Sequence, residues 1–325
     1  MDRSLTVLWM TDLHLLSDAC DGPDEADGVR HGVLNMWRGP RRLAAFVERV
    51  NAERPHLALC TGDIIDSQTL WRRHVLAHHR ELAAYAERLP HPWPYEDYDA
   101  RRHLAHFMEG WRALDTGVRR ELTVGNHDVM ALPRDELARL LEADDRPWQA
   151  GSPFNRSVVL EDGRAKARFV LVDSSLGADP LHWCYTGTLL PETLAWIEAE
   201  LAAATEPVVF LAMHHGPHRA FARDPHGGDG MTTQFEPAGA RALAAIADTA
   251  AARRPDQRLA VLFGHQHGNR VLTRFDDLGP ALPGYLCPCL IDYRIGKGCR
   301  ITVEADGHYT IEEVVLDEAE SAARR

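Results

Sequence analysis

The sequence predicts a mixed α/β fold, and three observations carry that expectation. Short apolar runs at 5–10, 57–60, 122–124, 208–213 and 259–263 read as buried strands. Between them lie stretches whose apolar residues recur at helical spacing, the alternation of an α/β domain. Two further pairs of runs follow each other directly across Asp162-Gly163 and Asp306-Gly307, dipeptides that join antiparallel strands. Of the 325 residues 45% are hydrophobic and 26% charged, so the chain can bury a sizeable core.

Each element follows from its own residues. The run 5–10 is the first strand. After it, 17–40 is rich in Asp and Gly and too polar for a core, and it reads either as a lid or as a solvated surface loop. Leu43, Phe46, Val47 and Val50 then mark an amphipathic helix that feeds the strand at 57–60. A helical insertion is expected over about 70–115, with helices at 69–89 and 97–114 separated by Pro90-His91-Pro92-Trp93-Pro94. It carries Trp71, Trp93 and Trp111 with His74, His78, His79, His103 and His106. His74 and His78 have the i, i+4 spacing of a ligand pair, yet a hairpin with histidines on its wet face explains them as well. The insertion borders the site or offers a partner surface.

Further along, 132–142 reads as a helix with Pro133 near its start, where proline is tolerated. The runs 158–160 and 169–172 form a hairpin, and Asp173 at its end has the usual role of a lone carboxylate, a turn or cap. Pro191 starts a helix with Leu194, Ile197 and Leu201 on one face. The loop 216–235 centres on Gly227-Gly228-Asp229-Gly230, 238–252 is helical, and 300–304 with 309–316 closes the chain as a hairpin. The chain, 1–325, reads as a single domain.

The net charge of −12 disfavours an extended nucleic-acid groove, where basic surface dominates affinity. Small anionic ligands stay open, since bound dications reverse a local field. No stretch is apolar enough to span a membrane. Nothing resembles a secretory signal, and a cytoplasmic protein is expected. The six cysteines, Cys20, Cys60, Cys184, Cys287, Cys289 and Cys299, are compatible with free thiols there. Cys287-Pro288-Cys289 reads as two structural cysteines rather than a soft-metal pair.

The apolar runs share one property: each ends in residues that bind metals or move protons. They run into Asp12-Leu13-His14, Gly62-Asp63, Gly125-Asn126-His127-Asp128, His214-His215 and Gly264-His265-Gln266-His267. Ligands in α/β folds gather beyond the carboxyl ends of strands. Side chains two apart on an extended backbone point the same way, so His265 and His267 can reach one volume. Five strand ends therefore supply Asp12, His14, Asp63, Asn126, His214, His265 and His267. Imidazoles with carboxylates and one amide suit zinc, manganese or iron rather than calcium.

This ordered series resembles the calcineurin-like metallophosphoesterases, over roughly residues 5–316. The resemblance implies a four-layer α/β/β/α sandwich of two mixed sheets. It also implies a dinuclear centre of divalent or trivalent manganese, iron or zinc. One metal would take Asp12, His14, Asp63 and His267, and the other Asp63, Asn126, His214 and His265, with Asp63 as the bridge. Two ions about 3.5–4 Å apart clamp an in-line displacement at phosphorus and make hydroxide available at neutral pH. The resemblance gives His127 a role at the leaving-group oxygen, with Asp128 holding its ring as outer carboxylates often do. His215 would face substrate or pack. The blocks "TDLHL", "GNHD" and "MHHGP" are similar to those of small bacterial phosphodiesterases. The expected substrate is therefore a small phosphodiester such as a cyclic nucleotide. A phosphomonoesterase, a nuclease and a metal-binding scaffold without turnover are the alternatives.

Overall fold

The computed structural model describes residues 4–16, 39–67, 99–176, 186–218, 235–266, 271–288, 290 and 296–316. Within them, strands β1 (Leu5–Met10), β2 (Leu57–Thr61) and β3 (Arg119–Thr123) run parallel, with β10 (Lys297–Val303) antiparallel beside β1 and β11 (Tyr309–Val315) beyond it. The second sheet is ordered β4 (Arg156–Asp162), β5 (Ala165–Val172), β6 (Val208–Met213), β7 (Arg258–Phe263), β9 (Gly284–Leu286), β8 (Thr273–Phe275). Its four central strands are parallel, and β4 and β8 lie antiparallel at the edges.

Alternation along each strand builds the layers. Val7 and Trp9 of β1 join Leu57 and Leu59 against Phe169, Leu171, Phe210 and Leu262, so one core lies between the sheets. Leu8 and Met10, one residue out of phase, pack with Phe46 and Val50 of α1 (Gly39–Glu53) and Leu104 and Phe107 of α2 (Ala100–Arg112). On the far side, Val209, Leu211, Val261 and Phe263 meet Ile197 and Leu201 of α5 (Pro191–Ala203) and Leu243 and Ala247 of α6 (Pro237–Arg253). The layers are therefore helix, sheet, sheet, helix. Central strands are covered on both faces, and that is why they read as continuous apolar runs.

Three expectations needed correction. Strand β3 begins at Arg119 rather than 122, because Arg119, Arg120 and Glu121 carry no apolar signal although their backbones pair with β2. A helix not expected, α3 (Asn126–Ala131), precedes the one expected over 132–142, which is confined to α4 (Arg134–Leu140). Leu132 between them is extended (φ −146°, ψ 150°). It precedes Pro133, whose ring disfavours a helical conformation in the residue before it. The short strands β8 and β9 had no periodicity to announce them. The closing hairpin turns at Gly307 (φ 77°), as the Asp-Gly signal indicated.

Several sequence readings fall outside the described residues: the 69–89 helix with His74, His78 and His79, most of the 17–40 stretch, 219–234, and Cys20, Cys184 and Cys289. Cys60, Cys287 and Cys299 are buried free thiols. Among the described residues no helix is long and apolar enough to cross a membrane.

Candidate metal centre

Five strand ends meet at one edge of the sandwich. Asp12, His14, Asp63, Asn126 and His214 are fully buried there, and His127 and His265 nearly so. The backbone is bent to bring them together. Asp12, His14, Asp63 and His265 all have positive φ, at 52°, 43°, 48° and 74°. Such conformations cost non-glycine residues about 1–3 kcal/mol each and persist only where neighbours over-determine them. The neighbours are main-chain bonds: Asp12 N to Gly62 O (3.1 Å), His14 N to Asp63 O (3.0 Å) and Leu15 N to Ile64 O (2.8 Å). The loops after β1 and β2 are thus locked side by side.

Asp63 stands at the centre. Its Oδ1 accepts from His127 N (2.9 Å), while Oδ2 lies 3.0 Å from His214 Nε2 and 3.4 Å from His14 Nε2. Both oxygens of Asp12 accept from His265 N at 3.0 Å, which ties the first strand end to the last. Three groups of side chains, His14–Asp63–His127, Asp12–Asp63–His214 and His214–His215–His265, each bring ligand atoms within 4.8 Å of one another. His215 therefore joins the cluster, with Ser174 Oγ 2.9 Å from its Nδ1.

The hydrogen bonding of His214 tests whether these groups suit a cation. Its Nδ1 lies 2.9 Å from the carbonyl of Thr61, which can only accept, so Nδ1 carries the hydrogen. In the neutral ring Nε2 is then a bare lone pair. It faces Asp63 Oδ2 at 3.0 Å, Asn126 Oδ1 at 3.2 Å and His265 Nδ1 at 3.2 Å. Electron pairs crowded this closely require positive charge among them, from protons or from a metal ion. The protonation equilibria say the same. Burial lowers the pKa of His214, but the charge of Asp63 outweighs it and raises it to about 9. Burial likewise opposes, and hydrogen bonds with Asp63 and Asp66 overcome, in raising His14 to about 10. The Asn126 amide points the same way, since its Nδ2 is buried without a hydrogen-bond partner among the described residues while Oδ1 faces the cluster. The donor set fits transition-metal ions.

The structure brings together Asp12, His14, Asp63, Asn126, His127, His214 and His265 as listed by their motifs, and His267 lies outside the described residues. Asp128 needs correction. Its Oδ1 accepts from Ile64 N (3.0 Å) and Ile65 N (3.1 Å), and its Oδ2 from Gly125 N (2.9 Å), so it braces the loop after Asp63 rather than the His127 ring. Asp128 sits in the first turn of α3, where its carboxylate folds back onto the Gly125 amide at the helix entry and reaches the two amides of the loop after β2.

The ring of His127 is held instead by Asp66 and Ser67, which sequence reasoning missed. Asp66 Oδ1 lies 3.4 Å from Nδ1 of both His127 and His14, and Ser67 N donates to His127 Nδ1 at 3.1 Å. Burial opposes ionisation of Asp66, yet the two imidazoles beside it hold its carboxyl far below the usual range. The available signal was a second aspartate three residues after Asp63. Asp173 is a buried hub bound by Arg134 Nε (2.8 Å), Ser152 Oγ (2.8 Å) and Ser175 N (2.9 Å), in keeping with a turn residue.

The sequence model of the family described as calcineurin-like phosphoesterase matches residues 5–269. No protein among the curated sequences matches the chain. Among solved structures, a dimetal phosphatase from Danio rerio is similar with a TM-score of 0.60 and 15% identity, covering 96% of this chain and 98% of that one. A Staphylococcus aureus protein, provisionally described as a 5′-nucleotidase, gives a TM-score of 0.50 at 13% identity, covering 99% of this chain and 57% of its own. At these identities the likeness is one of fold.

Proposed function

The chain belongs to the calcineurin-like phosphoesterases, and from that premise we propose that it is a dinuclear metal-dependent hydrolase of a small phosphodiester, such as a cyclic nucleotide. One observation supports this above others: Asp12, His14, Asn126, His127, His214 and His265, buried side chains from four strand ends, gather around the carboxylate of Asp63 at the end of a fifth.

In this reading Asp12, His14, Asp63 and His267 hold one ion, and Asp63, Asn126, His214 and His265 the other. Asp63 is the shared residue because a carboxylate offers two oxygens. Bound there, manganese, iron or zinc would supply Lewis acidity to the phosphoryl oxygens and lower the pKa of water. The chain's own residues do the rest. Thr61 orients His214 through its carbonyl, and the Asp12 carboxylate fixes the backbone that presents His265. The Ser67 amide donates to His127 Nδ1, so the neutral ring carries its proton on Nε2. Burial lowers the His127 pKa and favours that neutral form. From Nε2–H, His127 can then donate a hydrogen bond to the leaving-group oxygen and stabilise the charge that develops there, a contribution worth typically about 10²–10⁴-fold.

A phosphomonoesterase is the second reading, favoured by the phosphatase and nucleotidase descriptions of the similar structures. We also read the chain as one domain acting on a small phosphoester, in the cytoplasm. Metal content combined with hydrolysis of bis-nitrophenyl phosphate against nitrophenyl phosphate in manganese tests the reading. Faster diester turnover with two ions per chain is expected. Faster monoester turnover moves the assignment to the second reading, and two bound ions with neither substrate cleaved would overturn both.

A further inference from the structure

On β3, well upstream of Asn126, a buried carboxylate is surrounded by more cations than it needs. Alternation puts Glu121 on the same face of β3 as Thr123, whose hydroxyl donates to Val172 O of the other sheet (3.1 Å). Glu121 is only 2% exposed, and an ionised carboxylate so placed requires compensation. The Arg119 guanidinium bonds one of its oxygens, with Nε 3.0 Å from Oε1, and Oε2 is buried without a hydrogen-bond partner among the described residues. Two more converge from separate elements. Arg146, in the loop before β4, places NH1 3.6 Å from Oε2, and Arg156, at the start of β4, places NH2 3.5 Å from Oε1. These contacts are too long for hydrogen bonds. Among the described residues, neither the Arg146 nor the Arg156 guanidinium donates a hydrogen bond to a protein acceptor.

The two guanidinium groups are 23% and 32% exposed and line a cleft of about 550 Å³ at the edge of the sheets. A second cleft of about 380 Å³ adjoins it, sharing Arg146 and Arg156 and adding Arg119 and Arg120. Of the acidic residues on the first cleft, Glu142 is engaged by Arg112 and Glu200 by Arg168, which leaves Asp145, next to Arg146 in the chain, as the remaining counter-charge. Burial lowers the Arg146 pKa more than Glu121 raises it, and Arg156 and Arg119 push it down further. In a chain of net charge −12 this is a concentrated positive site with idle donors.

The geometry points to a second binding site in this cleft for a phosphate-class oxyanion, gripped by Arg146 and Arg156. Planar guanidinium forks match tetrahedral oxyanions, and Glu121, 3.6 and 3.5 Å from the two groups, compensates part of the charge that a bound oxyanion would take. Glu121 lies on β3, which ends at Thr123, and none of the residues lining either cleft is one of the ligand-type side chains of the metal centre. The site is therefore distinct from the metal centre and does not rest on the function proposed for it. The ligand is free phosphate or the phosphate group of a nucleotide.

The test is calorimetric titration of inorganic phosphate into the metal-loaded full-length chain at low ionic strength, where exposed charges are least screened. Phosphate binding that persists at the cleft is expected alongside any at the metal centre. Arg146→Gln with Arg156→Gln should weaken the cleft site about tenfold or more, as loss of charge-assisted hydrogen bonds does. Turnover of bis-nitrophenyl phosphate should not change. Glu121→Gln removes the competing carboxylate and should move the same affinity the other way, tightening it. A purely structural arginine network would not give opposite signs, and Glu121→Gln alone carries the test should the double variant unfold. Adenosine monophosphate separates the sources: tighter binding than phosphate assigns a nucleotide, and equal or weaker binding assigns free phosphate. No phosphate site sensitive to these substitutions, or weakening in Glu121→Gln, overturns the proposal.

Discussion

A Cβ on Gly125 would sit 2.2 Å from Asp63 Oδ1 and 2.5 Å from the Asp63 amide, so these two residues approach as only a glycine permits. The contact lets Asp63 Oδ1 take the His127 amide while Oδ2 turns to the imidazoles. A methyl group there must displace the one carboxylate that every proposed ligand surrounds. Gly125→Ala is expected to lower kcat by about 10²-fold or more, the usual consequence of misplacing a reacting group by ~1 Å. Bound metal should fall in parallel. Metal analysis and steady-state kinetics check this, and a variant with full metal and full rate contradicts the central position of Asp63.

His127 and Asp128 are neighbours in sequence, but their side chains serve different ends. His127→Ala should keep both metals and reduce kcat by about 10²–10⁴-fold. Asp128→Asn puts a donor where one oxygen accepts backbone amides, leaving buried groups mismatched. It should cost about 1–3 kcal/mol of stability. Thermal unfolding beside kinetics separates the two. If Asp128→Asn keeps its melting temperature and loses only rate, the brace is not its role.

Removal of metal tests the crowding of electron pairs around His214 Nε2. Chelation should abolish activity and lower the melting temperature, since an ion that binds only the folded chain stabilises it by mass action. Adding back manganese should restore both. Recovery of stability without recovery of rate would separate a structural ion from the catalytic pair.

His103 on α2 offers a pH dependence outside the centre. Burial, then the charge of Arg102, depress its pKa from 6.5 to about 4. Below about pH 6.5 the unfolded chain takes up a proton that folded His103 refuses. Its contribution to stability is thus complete above 6.5 and is lost progressively as the pH falls towards 4. The loss should be on the order of 2 kcal/mol. His103→Gln should flatten that part of the profile measured by denaturant unfolding, and an unchanged slope would show that another group titrates there.

The strand ends were readable because burial on both faces leaves continuous apolar runs, and the polar residues that interrupt them stand out. Asp12, His14, Asp63, Asn126, His214 and His265 all announce themselves in that way. Asp66 does not, because an aspartate in a loop looks like any turn residue until His14 and His127 are seen on either side of it. The break at Leu132 was within reach, since Pro133 forbids a helical neighbour. Strand β3 hid its first half behind Arg119, Arg120 and Glu121, since their pairing with β2 and the burial of Glu121 depend on partners far away in the chain.

Local chemistry alone picked out the side chains that meet at the candidate metal centre, because residue type and the run before it are properties of a few consecutive positions. Only tertiary structure decided how they are held: that Asp128 grips backbone, that Asp66 and Ser67 grip His127, and that three arginines share Glu121. Those are contacts between segments distant in sequence, and their energies depend on distances of a few ångströms that no linear pattern encodes.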